Sequence, residues 1–106
     1  IKPILGCEAY VARGSRFTKD GKNMSGDHLI LIAKNLKGYH NLIKLSSLSF
    51  DSNAFYRTSR IDKDLLFEYS EGIICSSACL GGIIPQMIRA NNIPTNNKSG
   101  VRLSKE

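Results

Sequence analysis

The sequence has 106 residues, 42% of them hydrophobic, which bounds it to one ordinary globular domain. No apolar run approaches the roughly eighteen residues of a membrane span, and the chain opens at Ile1 with neither a methionine nor a basic leader, as expected of a piece of a longer polypeptide. Three cysteines at spacings of 68 and 4 residues exclude a paired disulfide framework and a zinc ribbon, and they point to a reducing, cytoplasmic setting.

The formal charge of +6 is unevenly spread: residues 1–60 carry ten basic and four acidic groups, residues 61–88 one and four, and residues 89–106 four and one. That distribution is compatible with a polyanionic neighbour such as DNA. The basic side chains are scattered through loops and lack interleaved aromatics, however, which favours a solvated surface over a dedicated nucleic-acid groove.

In chain order, Ile1 to Ala12 reads as a strand, with Pro3 suited to its start. Residues 13–27, RGSRFTKDGKNMSGD, are glycine-rich and charged, which predicts an exposed loop. His28 to Ala33 is continuously apolar after its first residue, the pattern of a parallel-sheet strand buried on both faces. From Gly38 to about Ser49, the residues Tyr39, Leu42, Ile43, Leu45 and Leu48 fall on one side of a helix.

Residues 51–60 are irregular, with Phe55 and Tyr56 expected as anchors. Asp62 can cap a short helix through Tyr69 that turns Leu65, Leu66 and Tyr69 inward, and Gly72 stands where a left-handed residue is needed after it. Ile73 to Ser77 is a third strand, Gly81 and Gly82 a tight turn, and Ile83 to Ala90 a helix with Pro85 in its first turn. Residues 91–106 form a polar tail with four asparagines, expected to be flexible or weakly docked. Alternating strands and helices predict parallel βα units, yet three strands cannot close a barrel, so the expected fold is an α/β arc of a larger barrel with parallel strands.

Each of the three apolar runs carries one side chain able to bind a metal: Glu8, His28 and Cys79. Neighbours in a strand face opposite ways, so Cys7 and Glu8 cannot both serve one site. Glu8 is a buried carboxylate needing a cation, or else the member of an ion pair or a solvent-exposed strand end. His28 can reach a metal or hydrogen-bond a loop carbonyl. Cys79 lies past its strand, where barrel chemistry occurs, or is a small buried hydrophobe, the reading that also covers Cys7 and Cys75. A mixed Glu, His, Cys set suits zinc or another borderline transition metal better than magnesium. No residue stands out as a general base, and His40 reads as surface.

The blocks IKPILGCEAYVARGSRF, HLILIAKNLKGYHNLIKLSSLSF and SEGIICSSACLGG resemble consecutive pieces of the polymerase and histidinol phosphatase (PHP) domain of bacterial DNA polymerase III alpha subunits, over about residues 1–90. That resemblance implies a distorted seven-stranded (β/α) barrel. It also makes Glu8 of GCEAYV, His28 before LILIA and Cys79 of SACLG metal ligands in the complete domain, for a divalent metal such as zinc or manganese. The implied parent is a replicative DNA polymerase whose partners are DNA and other replicase subunits, with a metal-dependent 3′ to 5′ exonuclease or phosphoesterase site in some members and a structural role in others. The remaining ligands of the family, an HxH pair, further Asp and His residues and a late DxH pair, have no counterpart in these residues, so the 106 residues alone are expected to be inactive. Ile83 stands where the family often has glutamate. The alternatives are a stand-alone PHP phosphatase acting on a phosphomonoester such as histidinol phosphate, and a non-catalytic structural or interaction module.

Overall fold

The computed structural model describes residues 1–21 and 26–92; four residues of the first loop and nearly all of the expected tail lie outside the described residues. The elements run β1 (Gly6–Val11), β2 (Asp27–Ala33), α1 (Leu36–Ser49), α2 (Lys63–Glu68), β3 (Ile73–Ser77) and α3 (Ile83–Asn92). The helix expected to stop at Ala90 thus continues two residues further.

The sheet has the order β1-β2-β3, and both of its pairings are antiparallel, which corrects the parallel arrangement expected from the sequence. Parallel neighbours need a covering crossover, usually a helix. The described residues of the link from β1 to β2 hold no helix, and the chain returns beside itself. After β2, α1 and the segment through Ile61 carry the chain past the far edge of β1, where Ile61 makes a single parallel bridge to Val11. The chain then comes back through α2. β3 therefore starts where β2 ended, with Ile73 opposite Ala33 and the Lys34 N–H donating to the Gly72 carbonyl at 2.8 Å. The unbroken apolar run of β2 reflected its central place in the sheet and carried no information about direction.

One sheet face holds Cys7, Ala9, Val11, Leu29, Leu31, Ala33 and Ile73, and α1 and α2 cover it with Leu42, Leu45 and Leu65. Leu31 is fully buried at the centre of this layer, but β2 is not buried on both faces as expected: Ile30 and Ile32 are only partly covered and Ile74 is exposed on the opposite side. The buried stripe of α1 is Gly38, Asn41, Leu42, Leu45 and Ser49, while Tyr39 and Ile43, expected inside, are exposed. Asn41 is tolerated because its amide donates to the Glu71 carbonyl at 2.8 Å.

Both α1 and α2 have a side-chain cap, the one on α2 as expected and the one on α1 not foreseen, since that helix was expected to start at Gly38 and starts at Leu36. Asp62 caps α2, its carboxylate accepting from the Leu65 N–H at 3.0 Å, and Leu65, Leu66 and Tyr69 pack on the core. Asn35 caps α1 through the Gly38 N–H in the same way. The irregular segment is held less by its aromatics, since Phe55 is exposed, than by Arg60, whose side chain is 1% accessible. Its guanidinium donates to the carbonyls of Ala54, Arg16 and Thr18, tying that segment to the first loop. Among the described residues no helix is long and apolar enough to cross a membrane.

Candidate metal centre

In an antiparallel pair, residues directly opposite one another share a face. Tyr10 lies opposite His28, so Glu8, two residues earlier, sits diagonally across from the imidazole on the same open face. Glu8 Oε1 is 2.8 Å from His28 Nδ1, and the Tyr10 ring meets the imidazole edge-on with centroids 4.7 Å apart. Cys7, one residue earlier, faces the core.

The third side chain arrives from the turn after β3. Cys79 Sγ is 3.6 Å from the same His28 Nδ1, and the Gly81 N–H points at the sulfur from 3.4 Å. A β-carbon on Gly81 would come within 3.4 Å of the imidazole ring, so the glycine pair lets the backbone lie directly against His28. The ligand-capable atoms of Glu8, His28 and Cys79 all fall within 4.8 Å of one another. The site is accessible: the Glu8 side chain is 51% exposed and that of His28 29%.

The reversal of β2 is what assembles this rim. His28 is near the start of its strand, the end a parallel β2 would have placed far from the C-terminal ends of β1 and β3. Running antiparallel, β2 brings its beginning to those ends. Cys75, expected as a buried hydrophobe, is exposed on the edge strand, and His40 is on the surface as expected. Partial burial still pushes the Cys7 and Cys75 thiols up from the ordinary thiol range.

A polar network beneath the rim went unread in the sequence. Asp27, nearly buried, receives the Arg13 guanidinium through Nε at 3.0 Å and Nη2 at 2.8 Å. The hydrogen bond to Asp27, reinforced by its charge, raises the Arg13 pKa further against the lowering effect of burial. Gln86 of α3 joins them, donating from Nε2 to Asp27 Oδ1 at 3.0 Å and to the Gly81 carbonyl at 2.6 Å, while its Oε1 accepts from Arg13. Both charged members sit at the ends of a stretch that composition marks as a solvated loop. The available signal was position: they flank the two strands that a short return would pair.

Residues 1–104 match the PHP domain family. The chain belongs to the PHP domain family. Among curated proteins it is 56% identical over 93 residues to a DNA polymerase III subunit alpha of Borreliella burgdorferi, covering 86% of this chain and 8% of that protein. It is 48% identical over 91 residues to the subunit alpha of Thermus aquaticus (83% and 7%) and 45% identical over 103 residues to that of Helicobacter pylori (96% and 8%). The chain therefore spans less than a tenth of the length of these relatives.

In this PHP chain the donor types of Glu8, His28 and Cys79 are ones that could hold a divalent ion. Zinc bonds of about 2.0 to 2.3 Å place tetrahedral ligand atoms roughly 3.3 to 3.7 Å apart, a spacing that the present cluster brackets. One carboxylate, one imidazole and one sulfur supply three donors among the described residues.

Proposed function

We propose that residues 1–106 are part of the PHP domain of a bacterial DNA polymerase III alpha subunit, forming an arc of the family's distorted barrel, and that Glu8, His28 and Cys79 hold a divalent metal such as zinc or manganese. The observation that carries the metal reading is the convergence within 4.8 Å of three donors, from the middle of β1, the start of β2 and the turn after β3. The parent reading rests on relatives named DNA polymerase III subunit alpha that are 45–56% identical over most of the chain, which favours it over a stand-alone phosphatase. On this reading the parent works on DNA in the cytoplasm beside other replicase subunits, and residues 1–90 with the tail after them belong to one polymerase polypeptide.

The residues divide the work at the rim. Glu8 would supply a carboxylate oxygen, His28 its Nδ1, and Cys79 a sulfur at which the Gly81 N–H points. A bound divalent ion would add Lewis acidity and lower the pKa of a water molecule, the chemistry a phosphodiesterase uses. Exposure of Glu8 and His28 leaves the rim open to a strand of nucleic acid.

The test uses the intact polypeptide that carries this chain. Primer extension from deoxynucleoside triphosphates should be observed, and elemental analysis should find less bound metal in Glu8→Gln, His28→Ala and Cys79→Ala. A polypeptide without template-directed extension would overturn the parent reading. Unchanged metal in all three variants would overturn the metal reading.

A further inference from the structure

The Cys79 turn is tied to β2 by a backbone hydrogen bond at one residue: the Gly81 carbonyl accepts the His28 N–H at 3.2 Å, while the Gly81 N–H contacts Cys79 Sγ. Whatever fixes Gly81 therefore sets the separation of two of the three candidate ligands. Gln86 does so from α3. Its amide nitrogen donates to the Gly81 carbonyl at 2.6 Å and to Asp27, the residue before His28, at 3.0 Å, while its oxygen accepts from Arg13. Asp27 is in turn held by Arg13 through Nε and Nη2. A single side-chain amide thus spans the two backbone segments that deliver His28 and Cys79, in a partly buried place where an apolar residue would have met no polar partner.

We infer that Gln86 is a positioning residue for the Glu8, His28, Cys79 centre, holding the Cys79 turn at ligand distance from His28 through Gly81 and Asp27. The inference rests on the metal reading above. Hydrogen-bond partners that orient ligands typically contribute tenfold to a hundredfold in metal affinity, although they touch no ion. Gln86 has the required placement, since its side-chain hydrogen bonds go to Arg13, Asp27 and the Gly81 carbonyl and would act on Cys79 and His28 through the backbone.

Cobalt(II) is the probe, titrated into the intact polypeptide, because a thiolate ligand gives a charge-transfer absorption that nitrogen and oxygen ligands lack. The unsubstituted protein should show this band and Cys79→Ser should abolish it. Gln86→Met, which keeps the length of the side chain without its hydrogen bonds, should weaken cobalt affinity by about tenfold and diminish the band, with the thermal melt of the metal-free protein shifting little. Gln86→Glu keeps the acceptor for Arg13 but loses the donors, and should weaken affinity likewise; it also decides the matter if Gln86→Met does not fold. Ile88→Ala, exposed on the same helix, should titrate as the unsubstituted protein does. Wild-type affinity and band in a folded Gln86 variant would overturn the inference. A Cys79-independent band, or none, in the unsubstituted protein would overturn the metal reading and the inference together.

Discussion

A β-carbon on Gly38 would fall on the carbonyl oxygen of Gly72, so the first turn of α1 lies in direct backbone contact with the turn that starts β3. Gly72 itself has φ +74°, and its carbonyl also accepts the Lys34 N–H. Gly38→Ala should therefore destabilise the fold by about 3 kcal/mol, the upper part of the usual overpacking range, because backbone rather than a flexible side chain must yield. Gly14→Ala, where nothing lies within 4 Å, should change stability by less than about 0.5 kcal/mol. Denaturant unfolding of the two variants checks the contrast.

Cys79→Ala should lower bound metal in the intact polypeptide, while Cys7→Ala and Cys75→Ala should leave it unchanged. Cys7 packs on the core and its truncation should cost about 1 kcal/mol, whereas exposed Cys75 should cost less than about 0.5 kcal/mol. Elemental analysis beside thermal melts of the three variants separates ligand from filler. Equal metal in all three would leave Cys79 without a binding role.

The 106 residues by themselves should show no nuclease, phosphatase or polymerase turnover and only weak metal binding, because three donors are an incomplete set and must also bear the cost of ordering the turn that carries one of them. Chelator-sensitive cleavage of single-stranded DNA by the purified chain would contradict this expectation.

Acid sensitivity should trace in part to Asp62. Burial pushes its carboxyl up, but the N–H groups of Arg16 and Leu65 and the Arg16 charge outweigh that effect and hold it below the ordinary carboxylate range. A carboxyl with a depressed folded pKa contributes stability that is fully present above its unfolded pKa of about 3.9 and disappears as pH falls through the lower folded value. Asp62→Asn should therefore flatten the loss of stability below about pH 4 and cost about 1 kcal/mol at neutral pH. Urea midpoints measured across the acid range provide the check, and an acid limb identical to that of the unsubstituted protein would assign the sensitivity elsewhere.

Much of the local structure was legible in the sequence because local chemistry dictates it. Asp62 announced a helix start, Gly72 a left-handed residue, and the limits of β3, Ile73–Ser77, matched the strand read there. Strand direction was not legible. An apolar run reports burial, and His28 to Ala33 would read the same in either orientation. The three candidate ligands were legible as types within motifs, but their proximity depended on the direction that the sequence withheld. Asp27, Arg13 and Gln86 were hidden for another reason: an ion pair with a buried carboxylate at the base of a loop has the same letters as a solvated one, and only the return of the chain brings residues 14 and 59 positions away from Asp27 against it.

The reversed direction of β2 also makes the rim a product of tertiary structure. His28 meets Glu8 across 20 residues and Cys79 across 51, so the first pair needs the β1–β2 hairpin closed and the whole cluster needs β3 docked as well. A solute that recognises the finished rim has nothing comparable to recognise in the open chain. Its concentration then acts on the folding equilibrium itself, adding about 1.4 kcal/mol of stability for each tenfold rise above its dissociation constant. The melting temperature of this protein is in that sense a gauge of whatever its rim has captured.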